Sequence, residues 1–271
     1  LKLFAVNSSS HYAKEILRAR TLIALPDPKR VIDILPNTPT RKSEATTEVL
    51  GKLEANDIIK AQGYLGISNF FNSFVNNRLV SASNSFAARN FRSASDGTLL
   101  ANDPHFKLSV PSQFYLAHLD LSVGGVIGGT IPGIPTIITG RTPYIGWGIS
   151  SSYADDQDLY AEEISESDVN MYRSLDGWTK FKTKDTIIKI KGEASKKIRL
   201  RWSENGPVLD KNTSQISDIT PPNHEMALSW TMLSPKDTSM SSLINLPYSK
   251  DLKTALKSLE KHVAPSLNYT I

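Results

Sequence analysis

The sequence contains no cysteine, which excludes disulfide bonds and any zinc or redox site built on thiolates. It has no apolar run near the ~18 residues that a membrane-spanning helix requires. It also lacks a Gly-x-Ser-x-Gly motif, which would mark the nucleophile of an α/β-hydrolase. The net charge is +4 and the basic residues are spread along the chain, so nucleic-acid binding is not indicated. The remaining composition, 39% hydrophobic and 21% charged, is typical of a globular protein.

The pattern of apolar residues changes near residue 80. Helical spacing is found in three ranges: 13–25, 43–62 and 251–263. After about residue 79, short β-type runs alternate with Gly, Pro, Asn and Asp. Residues 186–202 predict a hairpin turning at Gly192, with Ile198, Leu200 and Trp202 on a buried face and basic residues on the other. The sequence therefore predicts a helical N-terminal part followed by a strand-rich part.

A serine-rich segment opens the strand-rich part. Residues 81–86 read SASNSF, residues 99–106 read LLANDPHF, and His105 follows Ser83 by 22 positions (105 − 83). Taken alone, such a segment is most often a turn before a strand. Further blocks follow in a fixed order: GTIPGIP at 129–135, IGWG at 145–148, DDQDLY at 155–160, NGPV at 205–208 and LSW at 228–230.

Together these ordered blocks resemble the penicillin acylase (penicillin amidase) family of N-terminal-nucleophile (Ntn) hydrolases. The resemblance covers about residues 79–271 well and 10–40 more loosely. It implies an α+β fold, the four-layer αββα sandwich, of which this chain would form a part. Residues 1–82 would be the helical tail of the small chain and its linker. Residues 83–271 would be the N-terminal part of the large chain, with the catalytic core.

In this family a precursor cuts itself before its nucleophile, so the resemblance implies cleavage after Ala82 and a new N-terminus at Ser83. A free α-amine has a pKa of ~7.7–8.0 and can accept the proton of its own hydroxyl without a His–Asp pair. The resemblance further implies an oxyanion donor in the Ser151 backbone N–H. His105 would lie beside the nucleophile and could orient the amine or its water, although a structural hydrogen bond in a loop fits it equally well.

The resemblance also implies an acyl pocket that includes Phe106 and Ile149, although either side chain could instead belong to the core. Two positions depart from the family pattern: Ala82 replaces the usual Gly, and Phe86 replaces the usual Trp. The family's second oxyanion donor, an Asn, and a nearby Arg lie beyond the equivalent of Ile271. We therefore expect these 271 residues alone to lack full activity.

The acidic segment 155–158 is a candidate metal site. By itself such a cluster is most often a solvated loop, and it lacks the Gly and Glu positions of an EF-hand. The resemblance implies a structural Ca²⁺ bound by Asp155, the carbonyl of Gln157 and Asp158, with Glu15 completing the set. Such an ion would join the small chain to the large chain after cleavage.

The function implied by the resemblance is hydrolysis of a linear amide through an acyl-ester on the N-terminal serine. The candidate small-molecule substrates are penicillin-type side-chain amides and N-acyl-homoserine lactones, and the other partner is the remainder of the polypeptide. The resemblance implies an extracytoplasmic location, periplasmic or secreted. Two alternatives stay open: a calcium-stabilised binding domain that has lost catalysis, and an uncut, inactive precursor.

Overall fold

The computed structural model describes residues 11–25, 27–31, 82–105, 110–122, 124–152, 154–211 and 216–271. The predicted helix at 43–62 and the candidate pocket residue Phe106 lie outside these ranges. The helices described are α1 (His11–Ala24), α2 (Ser239–Asn245) and α3 (Leu252–Leu259). The strands described are β1 (Ala82–Ala88), β2 (Leu99–His105), β3 (Tyr115–Leu119), β4 (Val126–Thr130), β5 (Thr139–Arg141), β6 (Gly146–Ser151), β7 (Gln157–Glu163), β8 (Met171–Ser174), β9 (Gly177–Lys180), β10 (Lys182–Ile188), β11 (Lys196–Trp202), β12 (His224–Trp230) and β13 (Leu267–Thr270).

The described residues form two compact units. One contains 82–154 and 234–271, and the other contains 11–31 and 155–233. Strands outnumber helices in both, so the predicted α+β class with an N-terminal helix is confirmed. Within the described residues, no helix is both long and apolar enough to cross a membrane.

The first unit is built on a five-stranded antiparallel sheet with the strand order β13-β6-β5-β4-β3. Alternate side chains of β6 point to one face, where Trp147 packs with Leu246 and Ala255 of the helical layer. The Trp147 indole is fully buried, and its Nε1–H donates to the Ile138 carbonyl at 2.9 Å. The opposite face of β6 is covered by the β1–β2 pair. The unit therefore stacks helices, a five-stranded sheet and a second, two-stranded sheet.

The helix predicted at 251–263 is present as α3, and it is shorter than the apolar pattern indicated. Asp251 is its N-cap, with Oδ1 accepting the Thr254 N–H at 2.7 Å and the Thr254 hydroxyl completing a capping box. Ala255 is buried against the sheet, whereas Leu252 and Leu256 are about half exposed.

The second unit contains β7 paired with β12, and the hairpins β8–β9 and β10–β11. Helix α1 packs on β7 and buries Ile16 with Ile216, Ile219 and Met226. This helix was predicted from its apolar spacing, and that prediction is confirmed.

The predicted hairpin around Gly192 is confirmed, with Lys182–Ile188 pairing antiparallel to Lys196–Trp202 and Gly192 at φ +82°. The predicted buried face is wrong, because Leu200 is 39% exposed and Ile198 is only half-buried. Arg201 is half-buried as well as Ile198 and Trp202. Its guanidinium lies 5.0 Å from the Phe181 ring centroid and pairs with Glu225. Arg201, which was predicted on the solvent-exposed face, therefore contacts an aromatic ring and a carboxylate.

A half-buried histidine in the first unit, His262, gives a testable pH dependence. His262 Nε2 donates to the Pro265 carbonyl at 2.9 Å, and the ring stands edge-on to Tyr269. Burial lowers the pKa of His262, although the Pro265 carbonyl and the charge of Asp237 oppose this effect. Below the ordinary pKa of ~6.5 the unfolded chain binds a proton that the folded chain does not.

We therefore expect the free energy of unfolding to fall as the pH is lowered through 6.5, and to fall less in His262→Gln. Denaturant titrations between pH 5.5 and 8 measure this dependence. His118→Gln, at an exposed histidine, is the matched control. An identical pH dependence in His262→Gln and the parent protein would contradict the assignment.

Candidate active site

Ser83 lies at the start of β1, and Ala82 is the first residue of that strand. In the antiparallel β1–β2 register Ser83 is opposite Pro104, and Ser85 is opposite Asn102. Side chains two residues apart share a face of a strand, so the hydroxyls of Ser83 and Ser85 point to the same side. Both serines are half-buried.

Close contacts show how the β1–β2 pair crosses β6. A Cβ built on Gly146 would lie 3.4 Å from Leu100 Cδ2, and one built on Gly148 would lie 2.4 Å from Ser85 Oγ. Leu100 is opposite Ala87 in the β1–β2 register, so Gly146 lies near the Ala87 position and Gly148 near Ser85. A step of two residues along β1 therefore matches a step of two residues along β6. If the same spacing continues by one more step, we expect Ser83 above Ser150, next to Ser151.

Gly148 is required by this crossing. Besides the contact with Ser85 Oγ, its Cβ would lie 2.9 Å from Asn102 Cβ and 3.0 Å from Asn102 Cγ. Real side chains do not approach so closely, and the constraint comes from packing because Gly148 has no positive φ. The absence of a side chain at Gly148 therefore sets how closely the strand of Ser83 approaches the strand of Ser151.

His105 is opposite Ala82 on β2, directly beside the start of β1. Its Nε2 lies 2.7 Å from Asp103 Oδ2, and since a carboxylate only accepts, the ring nitrogen is the donor. Residues 103 and 105 share one face of β2, and Asn102 and Pro104 share the other. The structure thus places His105 next to Ser83 along the strand pair, with the imidazole on the face away from β6. The catalytic role of His105 stays a prediction.

Ser151 ends β6, pairs with Leu267 of β13 and is half-buried. The Asn268 side chain donates from Nδ2 to the Ser151 carbonyl at 3.3 Å, which fixes one side of this peptide. Ile149 is 2% exposed and packs in a core cluster with Ile134 and Ile138. Its side chain therefore lies on the helix-facing side of the sheet, and the acyl-pocket prediction for Ile149 and Phe106 stays untested.

Asn102 is a site residue that sequence analysis missed. It lies on β2, and its side-chain amide bonds to peptide groups of β1 and β6 and to the Thr139 hydroxyl. The only signal in the sequence was an amide directly after the apolar start of the LLANDPHF segment, and the sequence does not show what such an amide bonds to.

The acidic segment begins in the turn before β7, and its residues differ in burial. Asp155 and Asp158 are exposed, whereas Gln157 is buried. Gln157 Oε1 accepts the Tyr12 backbone N–H at 2.7 Å, which satisfies one of the unpaired donors of the first turn of α1. Glu15 is one turn further along α1, so the Gln157 contact brings its carboxylate towards β7.

The structure brings three of the predicted calcium ligands into electrostatic contact. The pKa of Glu15 is raised to about 7, first by burial and then by the negative charge of Asp155, with a smaller contribution from Asp158. Arg18 partly offsets this rise. Among the residues that the structure describes, no three acidic or histidine side chains are close enough together to hold a metal ion. The predicted ligands therefore agree with a Ca²⁺ site in their position along the fold and in their charge, but their side chains are not arranged as a metal site.

The penicillin amidase family profile matches residues 1–271 of this chain. The chain belongs to the penicillin amidase family. This places it in the Ntn hydrolase superfamily, and the predicted resemblance is confirmed.

Three relatives illustrate the acylases to which this chain is similar. Acyl-homoserine lactone acylase QuiP of Pseudomonas aeruginosa is 29% identical over 144 residues, which is 53% of this chain and 17% of that protein. Penicillin acylase 2 proenzyme of Pseudomonas sp. SE83 is 27% identical over 131 residues, 47% of this chain and 16% of that protein. Penicillin G acylase of Escherichia coli is 24% identical over 111 residues, 41% of this chain and 13% of that protein.

The solved structure of thermostable penicillin G acylase from Alcaligenes faecalis superposes with a TM-score of 0.59 at 21% identity. The match covers 69% of this chain and 32% of that chain, and it confirms the fold. This penicillin amidase family chain spans less than a quarter of the length of each of these sequence relatives.

Proposed function

We propose that this chain carries the nucleophile and one oxyanion donor of an acylase that hydrolyses linear amides. The observation that carries the proposal is the crossing of β1 over β6. In this crossing Ser85 faces Gly148 of β6, and Ser83 lies two residues earlier on the same face of β1. This supports a position of Ser83 near Ser151, at the end of β6. Family membership supports the reaction class, and the crossing supports the choice of Ser83 and Ser151.

The first half of the reaction forms an acyl-ester. After the 82–83 bond is cut, the Ser83 hydroxyl attacks the amide carbonyl carbon, and its proton passes to the α-amine of the same residue, directly or through a water. The negative charge on the carbonyl oxygen is stabilised by the Ser151 N–H. The C–N bond then breaks, and the proton held by the α-amine passes to the leaving nitrogen. A second oxyanion donor would come from an Asn beyond residue 271.

The second half regenerates the serine. Water attacks the ester carbon and gives its proton to the α-amine, and the same N–H stabilises the second oxyanion. The C–O bond to Ser83 breaks, the serine oxygen recovers a proton, and the carboxylic acid leaves. His105, which is opposite Ala82 on β2 and donates to Asp103, is proposed to orient the Ser83 α-amine or its water.

The proposed substrates are N-acyl amides with an apolar acyl group. One relative is named for acyl-homoserine lactones and another for penicillin G. Both compounds contain a secondary amide. Turnover of a series of N-acyl-homoserine lactones, of penicillin G and of a chromogenic phenylacetyl amide by the full-length gene product tests the proposal. Release of free homoserine lactone or of the amine supports it, and intact substrates throughout would overturn it.

Activation is proposed to occur by self-cleavage between Ala82 and Ser83. One relative is itself named a proenzyme, which supports a precursor stage in this family. For the 271-residue chain, cleavage gives pieces of 82 and 189 residues (271 − 82).

A structural Ca²⁺ is proposed at Glu15, Asp155, the Gln157 carbonyl and Asp158. The support is the packing of α1 against β7, the Tyr12–Gln157 hydrogen bond and the charge coupling of the three carboxylates. When bound, the ion would supply positive charge that balances these carboxylates. It would stabilise the contact between the N-terminal helix and β7, with no part in the reaction. Extracellular calcium concentrations suit such a site, which agrees with the proposed extracytoplasmic location.

Glu15→Gln should have opposite effects with and without the ion. A raised pKa means that the folded state is destabilised when Glu15 ionises, so in chelator stability falls as the pH rises from 4.5 to about 7. In EDTA at pH 8, Glu15→Gln should therefore raise the free energy of unfolding by ~1–3 kcal/mol. In millimolar Ca²⁺ the same variant should lose the stabilisation that the parent gains.

Denaturant titrations of both proteins, with EDTA and with Ca²⁺, measure the two effects. Glu166→Gln, at an exposed glutamate of the same unit, is the control and should follow the parent in both conditions. Equal stabilisation of parent and Glu15→Gln by Ca²⁺ would contradict the proposed ligand set.

A further inference from the structure

The side-chain amide of Asn102 makes four hydrogen bonds to three other strands. Nδ2 donates to the Asn84 carbonyl of β1 at 2.9 Å and to the Ile149 carbonyl of β6 at 2.7 Å. Oδ1 accepts the Ile149 N–H at 3.1 Å and the Thr139 hydroxyl of β5 at 2.7 Å. A primary amide has two donor hydrogens and two acceptor lone pairs, so each is paired.

These partners fix the orientation of the amide. The Ile149 N–H can only donate, and the carbonyls of Asn84 and Ile149 can only accept. Rotating the amide by 180° would therefore leave three backbone groups facing partners of the wrong kind. An aspartate at this position keeps the acceptors and loses both donors, and a leucine of similar shape loses all four interactions.

The bonded peptides lie next to the two groups that the reaction uses. Asn84 directly follows Ser83 on β1, and Ile149 is two residues before Ser151 on β6. The β1–β2 pair and the five-stranded sheet are separate sheets, with no ladder hydrogen bonds between β1 and β6 in the described residues. The Asn102 amide is thus a polar bridge from the strand of the nucleophile to the strand of the oxyanion donor.

We propose that Asn102 is a positioning residue that sets the distance between the Ser83 hydroxyl and the Ser151 N–H. This inference rests on the proposed function. An amide with four bonds to backbone and hydroxyl groups holds both strands in one register, whereas apolar contacts across the same gap would allow sliding. Because a misplacement of about 1 Å costs on the order of 10²-fold in rate, the bridge affects the chemical step more than substrate binding.

The test measures kcat and KM of the full-length gene product carrying Asn102→Leu, Asn102→Asp or Thr139→Val. We expect kcat to fall about 10²-fold in both Asn102 variants, with KM changed less than about threefold. Thr139→Val removes one of the four bonds and should lower kcat by a smaller factor in the same direction. Cleavage of the 82–83 bond should slow in the same order.

Two controls separate positioning from loss of folding. Asn90→Ala removes an exposed amide in the β1–β2 connection and should keep the parent kcat. Ala255→Gly weakens α3 on the opposite face of the sheet, so it should lower stability while kcat per folded molecule is unchanged. A folded Asn102→Leu enzyme with the parent kcat would overturn the inference. If both Asn102 variants fail to fold, Thr139→Val decides, and an unchanged kcat there overturns it as well.

Ser83→Ala, assayed in parallel, keeps the two proposals apart. If Ser83→Ala retains turnover, the proposed function fails. If Ser83→Ala is inactive and the Asn102 and Thr139 variants keep the parent kcat, the positioning role alone fails.

Discussion

Replacing Ser83 by alanine is expected to lower turnover by at least ~10⁴-fold and to leave the bond after Ala82 intact. The variant removes the oxygen that forms the acyl-ester and the oxygen that the self-cleavage step also needs. Both losses therefore appear together, whereas loss of an ordinary substrate contact would spare cleavage. Intact mass reports the cleavage, and release of a chromogenic amine by the full-length gene product reports turnover.

Ser95→Ala is the matched control for this experiment. Ser95 lies in the exposed connection between β1 and β2, and its hydroxyl bonds to Ser93. We expect parent cleavage and parent turnover in this variant. Cleavage and turnover that persist in Ser83→Ala would instead favour another nucleophile. A parent protein that is never cut and never turns over would favour one of the two alternatives, a binding domain or an inactive precursor.

Gly148→Ala is expected to have the second-largest effect, because it forces apart the two strands that carry the site. The new methyl group would lie 2.4 Å from Ser85 Oγ and 2.9 Å from Asn102 Cβ, so β1–β2 must shift away from β6. Overpacking of this kind costs ~1–3 kcal/mol of stability. The shift also moves Ser83 relative to Ser151, and we expect kcat to fall about 10²-fold.

The same strand offers a matched control. A methyl group on Gly146, two residues earlier and on the same face, would lie 3.4 Å from a flexible leucine terminus, Leu100 Cδ2. Gly146→Ala should therefore keep most of the parent stability and activity. Thermal unfolding and kcat of both variants measure the contrast. Equal behaviour of the two variants would contradict the crossing that places Ser83 beside Ser151.

Local sequence patterns correctly predicted elements that are specified by their own residues, such as α1 and the hairpin at Gly192. Apolar spacing before Pro26 predicted α1, and its packing through Ile16 follows from that spacing. The hairpin at Gly192 was predicted because the turn residue and the flanking alternation are local. Which face of that hairpin is buried depends on what covers it, so alternation alone gave the wrong answer for Leu200.

The candidate site was predicted as a set of residues without its geometry. Family motifs singled out Ser83, His105 and Ser151, and an antiparallel β1–β2 pair explains why His105 lies beside Ser83. Sequence analysis could not give the face of the strand on which His105 lies. It also could not give the Asn102 bridge or the need for Gly148, because both arise where two separate sheets cross.

Glu15 and the acidic segment are far apart in the sequence, and no local pattern relates them. The family resemblance paired them, and in the structure Gln157 binds the first turn of the helix that carries Glu15. The ligand set itself stays a prediction. The positions of oxygen ligands around a Ca²⁺ ion depend on how the side chains are arranged in space, and residue types alone do not specify that arrangement.

In the proposed reaction the hydroxyl of an N-terminal Ser83 forms the acyl-enzyme. The most direct measurement is to treat the full-length gene product with an irreversible acylating or sulfonylating reagent and to locate the adduct by peptide mass spectrometry. We expect one adduct, on a peptide that begins at Ser83 with a free α-amine. An adduct on any other residue, or a labelled peptide in which Ala82 still precedes Ser83, would contradict it.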